Sequence, residues 1–383
     1  MRGHVTKKGS KWYFVLDIGV DSTNNRKQQW FGSYDKKKDA QNAMNIKINE
    51  LNQNMFVSPD KLTTGEYLIN WLETYCLPNL QISAFESYEI IIMRHLIPNL
   101  GCIPLQKLIT MHIQQYYAKA LKRGRLDGKG GLSNKTVHYH HRVLKHALSH
   151  AVDMQLLTRN PADSAKPPKP QKFSAKFLDE EGVAQYLAAA QGTRMEIPIL
   201  LAIALGPRRG EVLGFKWPDL DHNRKILTVN RTLIYSKKGL IFKPPKSEES
   251  NRSLKITDTI IATLKRHKAA QAERMLLLGD LYTKNDLICC HDDGQPIHPS
   301  TFGHWYTDWI KENNLPKVRF HDLRHTNATL MLKSNIPAKV ASQRLGHSGI
   351  SITMDLYSHI LDSMQEEAAN AIEDILFKKT NGR

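Results

Sequence analysis

Cysteine is scarce in this chain of 383 residues. The four cysteines are Cys76, Cys102, Cys289 and Cys290, and none stands in a CxxC pair or at the Cys/His spacing of a zinc finger. This excludes a disulfide framework and a structural zinc site as the basis of the fold. We therefore expect free, mostly buried thiols and a fold that forms without metal.

Long apolar runs are also absent. The sequence has no stretch of about 18 apolar residues and no signal-peptide core, so we expect no membrane partner and a cytoplasmic location. Acidic residues are comparatively few, with 37 Asp and Glu against 54 Lys and Arg, which gives a net charge of +17. This excess of positive charge suits a polyanionic partner, and nucleic acid is the leading candidate.

Two breaks in composition divide the chain. At residues 52–64, NQNMFVSPDKLTT ends one helical pattern at Ser58-Pro59 and starts another. At residues 159–172, RNPADSAKPPKPQK contains four prolines among basic and small residues, as a solvated connector does. Three domains are therefore expected, at 1–56, 62–165 and 173–383.

The first segment opens with the alternating runs KWYFVLDIGV and RKQQWFGSYD, followed by a helical stretch. This pattern predicts a three-stranded sheet backed by one helix. The segment carries ten cations against five acids, so exposed strand residues are expected to lie in a DNA groove. The candidate contacts are Lys11, Arg26 and Lys27. The alternative is a solvated basic face over an aromatic core.

The second segment is helical throughout, with apolar residues at i, i+3, i+4 and i+7. Its last helix, in SNKTVHYHHRVLKHALSHAVD, is rich in His and Lys, and no carboxylate lies among the histidines. A face turned toward DNA phosphates fits this pattern better than a metal cluster does, and a plain solvated face is the alternative. The candidate contacts are Lys135, His141, Arg142 and Lys145.

The third segment contains MEIPILLAIALGPRRGEVLGFKWPDLD, in which an apolar helix ends at Gly206-Pro207 and a second begins near Arg209. Arg208 is therefore expected on a turn between two helices. The runs KILTVNRTL, GLIFKPP and RSLKI predict a three-stranded sheet, with Lys246 in one of its connections.

The stretch FHDLRHTNATLML, residues 320–332, predicts a helix with His321, Arg324 and His325 on one face. Histidines at i and i+4 alone would fit zinc. An arginine on the same face would repel a dication, and no glutamate stands between the histidines. Arginine with histidine fits a phosphate instead, because the guanidinium holds two oxygens and the imidazole exchanges a proton.

A further run, LGHSGISITMDLYSHI, places His347 on a turn and Tyr357 ten residues later. The ordered set resembles the tyrosine recombinase family of the phage integrase type, and the resemblance covers nearly the whole chain: Arg208 in GPRRGE, Lys246 in the sheet connection, His321 and Arg324 in HDLRH, and His347 with Tyr357 in LGHSGISITMDLY. One departure is Pro207, where the family often has leucine. It removes no functional group.

The resemblance implies a multidomain, mainly α protein with small β-sheets. Residues 1–56 would bind arm-type DNA sites, residues 62–165 would form a helical core-site-binding domain, and residues 173–383 would form a mixed α/β catalytic domain. The implied reaction integrates, and in reverse excises, a mobile element or prophage. Tyr357 would be the nucleophile of a 3′-phosphotyrosyl intermediate, and no cofactor or metal is implied.

The implied partners are double-stranded core and arm attachment sites, three further copies of the chain in a homotetramer on DNA, and a directionality factor. The implied location is the nucleoid of a bacterial host. The tail after Tyr357 carries an apolar stripe on one helix face, of the kind that docks on a neighbouring protomer in this family, with packing on its own domain as the alternative: Ala368, Ala371, Ile372, Ile375 and Leu376.

Two other classes of protein are alternatives. One is a DNA-binding regulator on a recombinase scaffold that does not cut DNA. The intact set of Arg208, Lys246, Arg324 and Tyr357 argues against it. The other is a metal-dependent nuclease or transposase, which needs clustered carboxylates to hold its cations. The sequence places no such cluster near the basic motifs.

Overall fold

The computed structural model of the chain describes residues 3–20, 26–52, 62–171, 177–244 and 251–346, together with residues 372, 373 and 376. The chain divides into two compact units, residues 1–172 and residues 173–383. The multidomain, mainly helical architecture with small antiparallel sheets agrees with the fold class expected from the sequence.

The first unit begins with a three-stranded antiparallel sheet in the order β1-β2-β3, followed by one helix: β1 Gly3–Lys8, β2 Lys11–Val20, β3 Arg26–Tyr34 and α1 Lys37–Asn52. Phe14 of β2 pairs with Val5 of β1 and Phe31 of β3. Phe14, Leu16 and Met44 of α1 form a small core of their own. The alternating apolar pattern of β2 thus supplies the face that the helix covers.

The rest of this unit is a helical bundle around a separate core that includes Trp71, Ile92, Tyr117 and Leu144. Its helices are α2 Thr64–Trp71, α3 Leu77–Asn79, α4 Ile82–Ile91, α5 Ile97–Leu100, α6 Thr110–Arg123 and α7 Asn134–Asp153. A capping box between Thr63 and Glu66 starts α2.

Two helical stretches of this bundle each contain a π-helical turn followed by a Pro-Asn pair. Pro78-Asn79 follows the π-helical turn Leu72–Cys76, and Pro98-Asn99 follows the π-helical turn Ile92–Leu96. Proline has no N–H to continue the helical ladder. Beside each proline, the asparagine side chain adds a bond to the carbonyl four residues earlier: the Asn99 amide donates to His95 at 2.7 Å, and the Asn79 amide donates to Tyr75 at 2.8 Å.

The second unit packs helices around small sheets. Its elements are α8 Glu180–Ala190, α9 Glu196–Leu205, α10 Arg209–Val212, β4 Leu220–Asp221, β5 Ile226–Val229, β6 Thr232–Ser236, β7 Gly239–Lys243, β8 Arg252–Lys255, α11 Asp258–Leu278, α12 Pro299–Glu312, α13 Asp322–Lys333 and α14 Ala338–Leu345. Helix α9 is buried along nearly its whole length, and its apolar side chains form much of the core with Leu213, Phe215 and Phe302.

The predicted three-stranded sheet of KILTVNRTL, GLIFKPP and RSLKI is wrong in its pairing. β5 pairs with β8 and with β4, whereas β6 and β7 form a separate hairpin. KILTVNRTL divides at Asn230 and Arg231, because both side chains bind the buried carboxylate of Asp219. These contacts turn the chain out of the first sheet before β6 begins.

All four cysteines are free, and Cys102 is exposed while the others are at least partly buried. None of the described helices combines the length and apolar character needed to cross a bilayer. Across the described residues, no group of three or more His, Cys, Asp or Glu side chains lies together as a metal site would require.

Candidate active site

Arg208 lies on a turn that glycine and proline create between α9 and α10. Gly206 adopts a left-handed conformation at φ +65 and ends α9. A side chain at this position would be strained at this positive φ and would also displace the ends of the Leu345 and Asn327 side chains, so the turn favours glycine. Pro207 then prevents the helix from continuing, and the chain enters α10 with Arg208 at its N-cap.

Glu211 holds Arg208 in place through two hydrogen bonds. Its carboxylate accepts hydrogen bonds from the Arg208 backbone N–H at 2.9 Å and from Nη1 at 2.8 Å. The second terminal nitrogen, Nη2, donates to the Gly346 carbonyl at 3.0 Å. The Arg208 side chain keeps 41% of its surface exposed against 4% for Glu211. The guanidinium is therefore held in place with one side open to an approaching anion.

Arg324 is the most buried charged group of the site, with 2% of its surface exposed. It projects from α13, and its Nη1 donates to the Gly206 carbonyl at 2.7 Å. Its Nη2 has no hydrogen-bond partner among the described residues. Burial, together with the positive charges of Arg208 and Arg252, lowers the pKa of Arg324 to about 9, and the negative charge of Glu211 offsets only part of this shift. A phosphate would relieve both penalties.

His321 stands at the N-cap of α13, and its ring meets the His325 ring edge-on at a centroid separation of 5.2 Å. The two histidines therefore share a face, as the i, i+4 spacing predicted. Partial burial lowers the pKa of His321 to about 4, with contributions from His325 and Arg324. Burial also lowers the pKa of His325, whose Nδ1 has no partner within the described part of the chain. Both rings are neutral near pH 7.

Sequence reasoning missed Arg252, which turns out to belong to the same cluster. It begins β8, is buried, and donates from Nη2 to Glu211 at 2.9 Å and from Nε to the Arg344 carbonyl at 2.8 Å. A signal was present, because the strand alternation of RSLKI places Arg252 on the same inward face as Leu254. A charged residue at an inward strand position indicates a buried partner.

Three residues of the predicted set, Lys246, His347 and Tyr357, lie outside the described residues. The elements next to Lys246 and His347 are described. Lys246 falls between β7 and β8, and His347 directly follows Gly346, the C-cap of α14. The structure thus brings Arg208, His321 and Arg324 into one region through the turn after α9 and the start of α13.

The predicted DNA-contact residues of α7 lie on more than one face. Lys135, Arg142 and Lys145 are exposed, and Lys145 pairs with Asp163 at 2.9 Å. The His141 Nδ1 is 2.6 Å from the Tyr117 hydroxyl and the ring is half-buried. A further histidine of this helix, His140, does not lie on the exposed basic surface. It is buried and hydrogen-bonds the Tyr116 hydroxyl at 2.6 Å, because its position falls on the apolar side of the helix.

In the N-terminal sheet, the Lys11 ammonium pairs with Asp35 and stays partly exposed. Arg26 and Lys27 begin β3, and their side chains lie outside the described part. Trp30 is exposed on the same strand, with the Lys8 ammonium 5.8 Å from its ring centroid. An exposed tryptophan beside a lysine is unusual for a solvated face and suits contact with a base or sugar.

Three family models match successive parts of the chain. The arm DNA-binding domain model matches residues 4–51, the N-terminal SAM-like domain model of phage integrases matches residues 63–121, and the phage integrase family model matches residues 176–364. A tyrosine recombinase described as XerC-like from Caldanaerobacter subterraneus is 28% identical over 96% of this chain and 97% of its own length. The ICEBs1 integrase of Bacillus subtilis is 24% identical over 76% of this chain and 78% of its own length.

Solved structures share the fold. The Tn1549 transposon integrase in complex with transposon right end DNA superimposes with a TM-score of 0.68 at 19% identity, covering 80% of this chain and 99% of that one. A lambda integrase dimer bound to a core site gives a TM-score of 0.58 at 17% identity, covering 92% and 93%.

The arginine cluster, the helix carrying His321 and Arg324, and the three matching domain models converge on one class of protein. The chain belongs to the phage integrase family of tyrosine recombinases. It is a site-specific DNA recombinase, and DNA is its partner.

Proposed function

We propose that this recombinase is the integrase of a bacterial mobile element or prophage and that it cleaves DNA through Tyr357. The Tyr357 hydroxyl oxygen attacks the scissile phosphorus, and the bond to the 5′ oxygen breaks. The products are a 3′-phosphotyrosyl link and a free 5′ hydroxyl. Because the phosphodiester energy is kept in this link, attack by another 5′ hydroxyl rejoins the strand without ATP or another cofactor.

The observation that carries this proposal is the pair of arginines beneath an open surface. Arg324 is buried with one nitrogen unpartnered among the described residues, and Arg208 is held half-exposed beside it. A buried guanidinium without a carboxylate partner is costly to keep unless an anion arrives. Two such groups stabilise the charge that develops on the nonbridging oxygens, which is the task that metal ions perform in nucleases.

The remaining roles follow from proton transfer. The tyrosine phenol has a pKa of about 10 and must lose its proton during attack, and neutral His321 is the candidate acceptor. We assign His347 as a further hydrogen-bond donor to the phosphate. Lys246 supplies the proton to the leaving 5′ oxygen, because a lysine ammonium gives up a proton more readily than the delocalised guanidinium of an arginine does. Lys243 and Lys255 are the competing lysines. Lys255 already donates to the Arg224 carbonyl at 3.0 Å.

The domains divide the DNA between them. We propose that residues 1–56 bind arm-type sites through Lys11, Arg26 and Lys27, and that residues 62–165 bind core sites through α7, where Lys135, His141, Arg142 and Lys145 contact the backbone. Residues 173–383 form the catalytic domain. These assignments rest on the partly exposed Lys11 of β2, on the exposed basic residues of α7 and on the family models that match these regions.

We propose a homotetramer on DNA as the active assembly, acting at the nucleoid in the cytoplasm, with a directionality factor selecting excision. In the described part of the C-terminal tail, Ile372 and Leu376 are 58% and 60% exposed. Two apolar residues one helical turn apart suit burial against a neighbouring protomer. A lambda integrase tetramer bound to a Holliday junction has the same fold, with a TM-score of 0.53 at 17% identity.

The test uses a duplex with a nick beside the cleavage site, so that the released 5′ segment diffuses away and the covalent product accumulates. Wild-type protein in EDTA should form a protein–DNA adduct that survives denaturation. Tyr357→Phe should bind the same duplex without forming the adduct. An adduct that persists in Tyr357→Phe would overturn the assignment. Binding without an adduct in the wild type would favour the alternative, a DNA-binding regulator on a recombinase scaffold.

A further inference from the structure

Arg252 occupies a place between the candidate active-site residues that none of the roles above explains. It is the first residue of β8, and its side chain is 6% exposed. Through Nη2 it donates to Glu211 at 2.9 Å, and its Nη1 lies 3.4 Å from the other carboxylate oxygen. Through Nε it donates to the Arg344 carbonyl at 2.8 Å.

These bonds connect three segments that carry different parts of the site. Glu211 holds Arg208, as described above. The Arg344 carbonyl lies in the last turn of α14, and Arg208 binds the Gly346 carbonyl at the end of the same helix. Residue 347 follows at once, and Arg252 itself closes the connection that carries Lys246. A single buried side chain therefore touches the support of Arg208 and the helix end before His347.

The charges of the cluster suggest why an arginine stands there. Glu211 is a buried carboxylate shared by two guanidiniums. Burial would raise its pKa, but the hydrogen bonds and charges of Arg252 and Arg208 outweigh burial and hold the pKa below its ordinary value. If Arg208 alone neutralised Glu211, little of its positive charge would remain for a phosphate. In a poorly solvated site such a loss is large.

We propose that Arg252 is a positioning residue for DNA cleavage: it supplies the counter-charge to Glu211 that leaves the charge of Arg208 available to the scissile phosphate, and it anchors the end of α14 before His347. The inference rests on the proposed function, because it assigns Arg252 a role in the same reaction. Arg252 itself is buried and reaches the phosphate only through these neighbours.

The test measures single-turnover adduct formation at saturating nicked duplex, together with DNA affinity and melting temperature. Arg252→Gln should bind DNA like the wild type but cleave it more slowly by roughly 10- to 100-fold, which is the loss seen when the hydrogen bonds that orient metal ligands are removed from metalloenzymes. Arg252→Lys keeps the charge and should lose less. Rates are compared well below the melting temperature of each variant, so that every protein is folded.

A double substitution separates the electrostatic role from a structural one. In Arg252→Gln the negative charge of Glu211 is neutralised by Arg208 alone. Adding Glu211→Gln removes this negative charge and should restore part of the cleavage rate. Gln still caps α10. The matched control is Arg231→Gln, which breaks another ion pair to a buried carboxylate, Asp219, in the same unit. It should lower the melting temperature and leave the cleavage rate of folded protein unchanged.

Wild-type cleavage by folded Arg252→Gln, or a double variant slower than Arg252→Gln alone, would overturn the proposal. If Arg252→Gln does not fold, the test uses Arg252→Lys. A lysine cannot bind both Glu211 and the Arg344 carbonyl, so an unchanged cleavage rate in Arg252→Lys would overturn the positioning role. Failure of the proposed function has a different signature, because the wild type would then form no adduct at all.

Discussion

At the scale of single residues, two buried arginines of the site differ in what surrounds them. Arg252 faces a carboxylate, whereas Arg324 has one carbonyl and one unpartnered nitrogen among the described residues. Removing one partner of a buried ion pair is strongly destabilising, because the charge that remains is buried without compensation. Removing a buried charge that has no opposite charge beside it should instead relieve such a cost. Site-directed substitution should therefore separate stability from function.

We predict that Arg324→Met stabilises the free protein by about 1 kcal/mol and lowers cleavage by a few orders of magnitude. Arg252→Met should destabilise the protein by roughly 3 kcal/mol, since Glu211 loses a buried partner. Denaturant unfolding without DNA measures the stability of each variant, and adduct formation on nicked duplex measures its cleavage rate. Arg324→Met that unfolds more easily than the wild type would show that Arg324 is already compensated in the free protein.

His321 gives a pH prediction. A histidine with the ordinary pKa of about 6.5 is half protonated at about pH 6.5. Burial lowers the pKa of His321 to about 4. The neutral form that accepts a proton is present above this pKa and is lost only as pH falls through it. Even a rise of about one unit on phosphate binding leaves the ring neutral at pH 6.5.

We therefore expect His321→Gln to cleave more slowly than the wild type with the same pH dependence between pH 6 and 8. Single-turnover rates across this range provide the measurement. A wild-type rate that falls with a midpoint near pH 6.5, together with a flat profile for His321→Gln, would show that His321 titrates normally in the complex.

At the scale of elements, the sequence predicted helices and turns better than strand pairing. The end of α9 could be predicted because Gly206-Pro207 interrupts a continuous apolar run. The glycine cap and the proline break are both local properties of the sequence. The pairing of β5 with β8 was not readable. It depends on Asp219 drawing Asn230 and Arg231 out of the ladder, which is a contact between residues that no local pattern connects.

The same distinction applies to the candidate site. Arg208, His321 and Arg324 were identified by their order and spacing, which the backbone preserves. Arg252 was overlooked because its partner Glu211 is 41 positions away in the sequence. His140 shows a related effect. It lies in the same histidine-rich helix as His141, but helix periodicity and a hydroxyl from Tyr116 place it in the core.

The asparagines after the helical prolines give an element-scale prediction. Asn99→Ala removes the amide that donates to the His95 carbonyl, a partly buried bond, and should destabilise the helical bundle by about 1 kcal/mol. Gln115→Ala, at an exposed position of α6, is the control and should stay within about 0.5 kcal/mol of the wild type. Chemical denaturation of each variant provides the comparison. Equal midpoints for both variants would mean that water replaces the amide.

At the scale of the whole molecule, the N-terminal sheet and the helical bundle each have a separate core. Phe14, Leu16 and Met44 pack among themselves and their neighbours, whereas the bundle core begins with Tyr67 and Leu68. The bundle is also closed at its own start, since Leu105 donates its N–H to the Leu62 carbonyl at 2.9 Å. Removal of the sheet therefore leaves the apolar residues of the bundle covered.

We accordingly predict that a protein lacking residues 1–56 remains folded and forms the covalent adduct on a nicked core-site duplex at a rate close to that of the full chain. The same protein should fail to recombine two complete attachment sites, because the contacts proposed for Lys11, Arg26 and Lys27 are missing. Footprinting on attachment-site DNA provides the measurement: protection should disappear from the arms and persist on the core. Arm protection that survives the deletion would place arm recognition elsewhere in the chain. Loss of core-site cleavage as well would show instead that the sheet domain is needed for the reaction itself.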